Sequence, residues 1–215
     1  MSNRVVVIDY GIGNVFSVCN ALQTLGADVS LTRSLQEIRD ADRLILPGVG
    51  AFACAMEALD SYGLADSIKL YVETGKPFLG ICIGMQLLMD RSMEFGQHEG
   101  LGFIAGKVER ILNTNEAGER VRVPHIGWTN LREDQPFTGT PLASVGDGAV
   151  YFVHSYHCKP DDDRHVLSTV DYDGLTVTAA IRHENVIGVQ FHPERSGIVG
   201  KNILNSFVKD GISGS

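Results

Sequence analysis

A cysteine flanked by small residues stands at the centre of segment 77–86, which reads PFLGICIGMQ. An apolar run leads to Gly80, and Gly84 follows Cys82 before a helix-favouring stretch. Small residues around a nucleophile at a strand-to-helix junction are typical of the sharp turn called a nucleophile elbow. Such a turn presents the sulfur at the N-terminus of the next helix, where the dipole and free N–H groups favour a thiolate. The alternative interpretation of Cys82 is a buried, inert thiol.

A cysteine nucleophile needs a base, and one of the seven histidines directly follows a predicted strand. His192 comes after the apolar run 186–191, and Glu194 lies two residues further on. Residues two apart in an extended chain point the same way, so the Glu194 carboxylate can reach the His192 imidazole. With Cys82 these residues would form a triad of nucleophile, proton carrier and orienting acid. The alternative is that His-Pro-Glu only ends a strand and begins a loop.

Glycine-rich turns follow two of the predicted N-terminal strands. Segment 47–50 reads PGVG and comes after the strand predicted at 43–46. Its backbone N–H groups could approach a ligand closely, at the sheet edge where α/β proteins bind their ligands. The turn at 9–14 also carries two glycines, but Phe16 stands where the third glycine of a dinucleotide-binding fingerprint belongs. We therefore interpret that turn as an ordinary strand-to-helix connection.

His154, His157 and Cys158 are residue types that could bind zinc. On one extended strand, however, this spacing divides the three side chains between the two faces. We therefore predict no metal site.

Composition and charge narrow the class of protein. The chain has 215 residues, a net charge of −8 and 44% hydrophobic residues, values that suit one sizeable α/β domain. The negative charge argues against nucleic acid and anionic membrane surfaces as partners. Residues 1–10 hold only a short apolar run, so we expect no signal peptide, and the uncharged stretch 44–56 is too short to span a bilayer. Four scattered cysteines favour free thiols in a reducing cytoplasm, and we expect a cytoplasmic location.

Alternating strands and helices predict the fold. The N-terminal half is predicted to hold strands at 5–8, 28–32 and 43–46, and helices at 15–25, 35–38, 51–60 and 64–74, with the helix behind Cys82 extending to Ser92. The C-terminal half is predicted to hold strands at 107–112, 120–123, 149–154, 165–171, 176–182 and 186–191, and a helix from Ser196 to Val208. We predict one domain over 1–210 and a flexible tail over 211–215. Its sheet would be doubly wound and mixed, with a parallel N-terminal half covered by helices on both faces and an antiparallel, strand-rich C-terminal half.

The elbow, the PGVG segment and His192-Pro-Glu194 together resemble the class I (triad) glutamine amidotransferases. Four further segments narrow the resemblance: 46–52 (LPGVGAF), 124–128 (PHIGW), 151–156 (YFVHSY) and 193–197 (PERSG). They are similar to the glutaminase subunits of imidazole glycerol phosphate synthase, from histidine biosynthesis. The resemblance covers essentially the whole chain and implies a class I glutamine amidotransferase-like, flavodoxin-like α/β fold.

The resemblance implies hydrolysis of L-glutamine to glutamate and ammonia through a thioester on Cys82, with no metal or organic cofactor. It implies that backbone N–H groups of Val49, Gly50 and Ile83 hold the oxyanion. The side chains implied to contact glutamine are those of Gln86, Glu94, Ser155 and Tyr156. Among these, Glu94 would face the α-amino group of the substrate.

The resemblance also implies a partner, a cyclase subunit with a (β/α)8 barrel that forms a heterodimer with this chain and receives the ammonia. That subunit would form imidazole glycerol phosphate and an aminoimidazole carboxamide nucleotide, and its binding would stimulate a weak glutaminase. Asn14, Trp128 and Arg195 are implied at the interface. Arg195 stands where lysine is commoner and Thr129 where asparagine is common, which leaves open a paralogue that serves a sugar-amidating enzyme. A catalytically silent docking module is the alternative from another class.

Overall fold

The computed structural model describes residues 4–212, which form helices, strands and short 3-10 turns. The helices are α1 (Val15–Thr24), α2 (Leu35–Asp40), α3 (Phe52–Ser61), α4 (Leu64–Val72), α5 (Ile83–Gln86) and α6 (Gly197–Lys209). The first strands are β1 (Arg4–Ile8), β2 (Asp28–Thr32), β3 (Arg43–Gly48), β4 (Phe78–Cys82), β5 (Met89–Ser92), β6 (His98–Glu99) and β7 (Ile104–Arg110). The remaining strands are β8 (His125–Asn130), β9 (Arg132–Glu133), β10 (Ala149–His154), β11 (Tyr156–Pro160), β12 (Val166–Tyr172), β13 (Leu175–His183) and β14 (Val186–Val189).

The main sheet has eight strands in the order β2-β1-β3-β4-β14-β13-β12-β9. The first five strands pair in parallel, and the other three add antiparallel pairs at one end. The parallel part has the strand order of flavodoxin-like folds, in which ligands bind outside the carboxyl ends of the strands. The predicted doubly wound, mixed sheet is thus confirmed.

The inner parallel strands are buried because helices cover the sheet, whereas the edge strand β2 has no buried residue. Val5, Leu44 and Phe78 have no exposed surface, as expected of strands whose apolar runs are continuous. The helices pack in two groups, α1 with α6, and α4 with both α2 and α3. The connection from β1 to β2 carries α1, and the connection from β2 back past β1 to β3 carries α2. Because right-handed connections that run in opposite directions along a sheet cover opposite faces, α1 and α2 lie on opposite faces.

The helix behind Cys82 is shorter than predicted. It ends at Gln86, and Met89–Ser92 forms β5, which pairs with β6 and β7 in a second sheet of order β11-β7-β5-β6. The carbonyl groups of Leu87 and Leu88 accept N–H groups from Leu101 and Phe103, so pairing with a distant segment replaces further helical turns. The prediction of a helix to Ser92 is therefore wrong.

Other differences lie in the antiparallel half. Segment 120–123 forms no regular strand, and only an isolated bridge joins Arg120 to Thr114. Strand β8, which was not predicted, pairs with β10 in a two-stranded ribbon. A half-buried strand usually buries its apolar side chains and exposes its polar ones. In β8 the reverse holds, because His125 is buried while Ile126 and Trp128 are exposed.

Two polar residues at helix N-termini make no side-chain capping hydrogen bond. Helix α1 begins after Asn14 and α6 after Ser196, but neither side chain accepts an N–H group from its helix. The Ser196 hydroxyl instead accepts the Tyr151 N–H at 2.9 Å and donates to the His192 carbonyl at 2.7 Å. Ser196 therefore ties the turn that carries His192 to β10.

The C-terminal residues pack on the domain as far as they are described. Of the predicted tail 211–215, Gly211 donates its N–H to the Phe207 carbonyl and Ile212 packs against the core. Residues 213–215, and residues 1–3 of the segment examined for a signal peptide, lie outside the described residues. Between residues 4 and 212 there is no helix with the length and apolar character needed to cross a membrane.

Candidate active site

The backbone turns sharply at Cys82, the last residue of β4. Cys82 has φ 56° and ψ −109°, a conformation that residues other than glycine rarely adopt. A Cβ added to Gly80 would lie 2.5 Å from the Gly84 carbonyl oxygen, and one added to Gly84 would collide with the Leu46 carbonyl. The two glycines that predicted an elbow are thus the residues that make room for it.

His192 and Glu194 form a buried pair. His192 Nδ1 lies 2.8 Å from Glu194 Oε1, and the two side chains are only 5% and 1% exposed. Because a carboxylate only accepts, Nδ1 donates in this hydrogen bond. Burial disfavours the imidazolium, but the Cys82 sulfur and the Glu194 carboxylate outweigh burial and raise the pKa of His192 well above its usual range. His192 Nε2 is buried and makes no hydrogen bond within residues 4–212, which leaves this nitrogen available to a reacting group.

Cys82 and His192 line one cavity of about 430 Å³ at the carboxyl ends of the parallel strands. The other predicted site residues in its wall are Val49, Gly50, Ile83, Gln86, Glu94, Ser155 and Tyr156. The volume falls in the range of small-molecule sites. Glu194 lies behind His192, outside this cavity. A second cavity, of about 510 Å³ between β7, β11, β12 and β13, contains none of the predicted site residues.

The PGVG segment contributes backbone to this cavity. Pro47 and Gly48 prolong β3 beyond its predicted end, and Gly48 pairs with Cys82. Val49 and Gly50 then leave the sheet, and neither N–H group donates a hydrogen bond to another residue between 4 and 212. Two backbone donors therefore remain available beside the sulfur.

Two of the side chains predicted to contact glutamine make hydrogen bonds to other residues of the chain. Gln86 Nε2 donates to the Tyr156 carbonyl and to Gln190 Oε1, both at 3.0 Å, so its own Oε1 remains for a ligand. Glu94 Oε2 accepts the Phe52 N–H at 2.6 Å, at the start of α3. The positive end of that helix stabilises a carboxylate at this position.

A chain of hydrogen bonds runs beneath the cavity. His154 Nδ1 lies 2.9 Å from the Tyr156 carbonyl, which can only accept, so Nδ1 carries a proton. His154 Nε2 and His125 Nδ1 are 3.1 Å apart, and His125 Nε2 lies 3.1 Å from the Thr129 hydroxyl. Burial lowers the pKa of His125 to about 4 and that of His154 to about 3. Both rings are therefore neutral at pH 7, and each donates through Nδ1 and accepts through Nε2.

The histidine and cysteine that follow His154 do not converge with it on a metal site. His157 Nδ1 accepts the Thr178 N–H at 3.4 Å, and the fully buried Cys158 sulfur lies 3.9 Å from the Met85 carbonyl. Among residues 4–212, no group of three or more His, Cys, Asp or Glu side chains could hold a metal ion.

The predicted interface residues lie outside the cavity. Trp128 is 56% exposed and its ring centroid lies 5.7 Å from that of Tyr151. The Arg195 guanidinium lies 5.4 Å from the centre of the same Tyr151 ring. Asn14 is exposed at the start of α1, in a narrow cleft that Glu194 also lines.

Two further residues contact the site, and sequence reasoning did not identify them. Gln190 is completely buried and its Nε2 lies 3.7 Å from Cys82 Sγ. Phe95 is 88% exposed at φ 54°, lines the cavity, and makes an edge contact with the Tyr156 ring. A polar residue inside the apolar run 186–191 was the available signal for Gln190.

The neutral histidines predict how stability depends on pH. In the unfolded chain a histidine binds a proton as the pH falls through about 6.5, whereas folded His154 stays neutral down to a pKa of about 3. The free energy of unfolding should therefore fall with pH below about 6.5, by up to about 1.4 kcal/mol per pH unit for this residue. His192, whose pKa is raised, is charged in both states below pH 6 and adds little to this slope.

Urea unfolding at pH 6 and pH 5 measures the effect. We expect His154→Gln to have a shallower slope than the parent chain, with His125 still contributing. His98→Gln, at a half-exposed position on β6, is the control and should keep the parent slope. Equal slopes in His154→Gln and the parent would contradict the assignment of a neutral, buried His154.

Comparisons with known proteins identify the family of the chain. The family model described as glutamine amidotransferase class-I matches residues 6–210. Imidazole glycerol phosphate synthase subunit HisH 1 of Legionella pneumophila (strain Lens) is 44% identical over 211 residues, which cover 96% of this chain and 99% of the relative. Subunit HisH of Geobacillus kaustophilus (strain HTA426) is 48% identical over 202 residues, 94% of each chain.

Solved structures show the same fold. The structure of PurLQS from Thermotoga maritima includes a chain with a TM-score of 0.70 and 22% identity, and the match covers 97% of this chain and 98% of that one. A crystal structure of a glutamine amidotransferase also has a TM-score of 0.70, with 20% identity and coverage of 94% and 96%. The family model spans nearly the whole chain, and the chain therefore belongs to the class I glutamine amidotransferase family.

Proposed function

We propose that this chain is the glutaminase subunit of an imidazole glycerol phosphate synthase and works in the cytoplasm. It would hydrolyse L-glutamine at Cys82 and pass the ammonia to a (β/α)8-barrel cyclase subunit. The observation that carries the glutaminase assignment is the single cavity lined by Cys82, His192 and all the side chains expected to contact glutamine. The acceptor is inferred from relatives that are named as subunits of this synthase and match nearly the full chain.

The first half of the reaction would form a thioester. In the reactive state His192 Nε2 holds the proton of the Cys82 thiol, and the thiolate sulfur attacks the carboxamide carbon of glutamine. Glu194 holds the ring through Nδ1 and stabilises the imidazolium, in keeping with the raised pKa of His192. The carbonyl electrons move onto oxygen, and N–H groups of Val49, Gly50 and Ile83 would stabilise that oxyanion. When the C–N bond breaks, His192 returns the proton to nitrogen and ammonia leaves.

The second half would release glutamate. A water molecule gives a proton to His192 and attacks the thioester carbon. The C–S bond then breaks, the sulfur recovers a proton, and glutamate departs. Glu94 supplies a carboxylate that can pair with the α-ammonium group of either amino acid, while Gln86 Oε1 accepts one of its N–H groups.

An exposed apolar surface supports the proposed partner. The partner face consists of Ile126, Trp128 and Val153 on the β8–β10 ribbon, with Arg195 stacked on Tyr151 beside them. Ile126 and Trp128 are 59% and 56% exposed. Exposed apolar clusters mark interaction surfaces, and tryptophan, tyrosine and arginine are the residue types that dominate binding energy at protein interfaces. We assign this face to the cyclase subunit.

Reconstitution with the cyclase subunit and its nucleotide substrate tests the proposed function. We expect imidazole glycerol phosphate to form from either glutamine or added ammonium. Cys82→Ala should lower glutamine-dependent product formation at least about ten-thousandfold and leave ammonium-dependent formation intact, because only the first route needs the nucleophile. Product can be followed by chromatography.

Cys54→Ala, at an exposed cysteine on α3, is the matched control and should behave as the parent. Formation of product from glutamine by the Cys82→Ala variant would contradict the assignment of Cys82 as the nucleophile. Glutaminase activity without transfer to this cyclase would contradict the acceptor and favour the paralogue that serves a sugar-amidating enzyme.

The partner face predicts which substitutions weaken the complex. Trp128→Ala should raise the dissociation constant for the cyclase subunit about thirtyfold, since a large exposed aromatic side chain at an interface contributes about 2 kcal/mol or more. Leu70→Ala removes a comparably exposed apolar side chain from α4 and should have no effect. Titration calorimetry measures both dissociation constants. A constant for Trp128→Ala equal to that of the parent chain would mean that the cyclase subunit binds another surface.

A further inference from the structure

Gln190 is a buried glutamine whose amide contacts the candidate nucleophile. It follows β14, has no exposed surface, and lies two residues before His192. Its Nε2 lies 3.7 Å from Cys82 Sγ and its Oε1 lies 3.0 Å from Gln86 Nε2. A glutamine is rarely buried completely, because its amide must find partners for both its donor and its acceptor groups. Here both partners belong to the site.

The network determines which end of the Gln190 amide faces the sulfur. The Tyr156 carbonyl can only accept, so Gln86 must present its amide nitrogen to it. The same nitrogen lies 3.0 Å from the Gln190 amide, so Gln190 must present its oxygen to Gln86. Its nitrogen is then left to face Cys82. One backbone carbonyl thus sets the direction of two side-chain amides.

The neutral histidines stabilise this direction. His154 also donates to the Tyr156 carbonyl, at 2.9 Å. That oxygen therefore accepts hydrogen bonds from both His154 and Gln86. Reversing the Gln86 amide would bring its oxygen against the carbonyl oxygen, which is repulsive and leaves buried groups unpaired. The direction of the Gln190 N–H toward Cys82 is therefore fixed by Gln86, the Tyr156 carbonyl and His154.

We propose that Gln190 is a positioning residue, which holds the Cys82 sulfur by donating an amide N–H to its thiolate form. A hydrogen bond to a charged acceptor is about twice as strong as one between neutral groups, and burial strengthens it further. The same bond fixes the direction of the sulfur above the elbow. The inference deepens the proposed function and rests on it for the catalytic consequence, but the N–H to sulfur contact stands on geometry alone.

The other titratable groups near Cys82 remain in place when Gln190 is replaced. Those that face the sulfur or share its cavity are Tyr10, Glu94, His154, Cys158, His192 and Glu194. Of these, His192 and Glu194 are coupled to the thiol, so the pH profile of Cys82 reports the whole group and not one residue. Comparing variants of Gln190 within that constant background isolates the effect of the amide.

Alkylation of Cys82 tests the proposal without glutamine. The chain is treated with iodoacetamide over a range of pH values, and mass spectrometry follows the peptide that contains Cys82. Gln190→Met keeps the length of the side chain and removes the donor. We expect alkylation at pH 7 to slow about tenfold and the midpoint of the pH profile to rise by about one unit.

Gln190→Glu supplies a second variant of the same shape. Its carboxylate oxygen replaces the donor with an acceptor, so the midpoint should rise at least as far as in Gln190→Met. Gln97→Met, at an exposed glutamine, is the matched control and should keep the parent profile. Near-ultraviolet circular dichroism and the thermal midpoint establish that each variant is folded, and Gln190→Glu decides the matter if Gln190→Met does not fold.

The outcomes separate this inference from the proposed function. A parent-like pH profile in a folded Gln190 variant would overturn the positioning role, whatever the glutaminase activity. A raised midpoint in both variants would support that role even if glutamine proved not to be the substrate. With glutamine, the positioning role also predicts a fall in kcat that exceeds any rise in KM, because the sulfur acts after the substrate is bound.

Discussion

The positive φ of Cys82 is the constraint on which the site depends. A cysteine is held in this conformation only where its surroundings fix it, and here β3 and β14 lie on either side of the strand that ends in Cys82. Gly84 approaches the Leu46 carbonyl so closely that any side chain would collide with it. The turn between β4 and α5 therefore follows from close packing of backbone on backbone, and the sulfur is raised above the sheet as a result.

The rest of the site is assembled from chain segments that end at the same edge of the sheet. Strand β3 brings the N–H groups of Val49 and Gly50, and the turn after β14 brings His192 with Glu194. The antiparallel half adds Tyr156, whose carbonyl receives donors from His154 and Gln86. The buried hydrogen-bond network thus consists of neutral histidine rings and amides, while the charged groups beside the sulfur are His192 and Glu194. Of the three buried side-chain polar atoms without a hydrogen-bond partner within residues 4–212, two, His192 Nε2 and Glu194 Oε2, belong to the charged groups and not to this network.

Most of the parallel half was predictable from the sequence because its inner strands, unlike the edge strand β2, are buried on both faces. Continuous runs such as Val5–Ile8 have few other interpretations once glycine-rich turns follow them. The proximity of His192 and Glu194 also followed from their spacing. The prediction of a helix to Ser92 was wrong because the carbonyl groups of Leu87 and Leu88 accept hydrogen bonds from a later segment. Such long-range pairing cannot be predicted from a local sequence pattern. Gln190 escaped prediction for the same reason, since its partners are distant in the chain.

The central claim is that Cys82, raised by its strained turn, is the nucleophile that attacks the carboxamide carbon of glutamine. Labelling with a diazo ketone analogue of glutamine, which forms a stable bond to the attacking atom, tests this most directly. Peptide mass spectrometry should find the label on Cys82 and on none of Cys19, Cys54 and Cys158, and an excess of glutamine should slow the labelling. A label on another residue, or labelling of Cys82 that glutamine does not slow, would contradict the account.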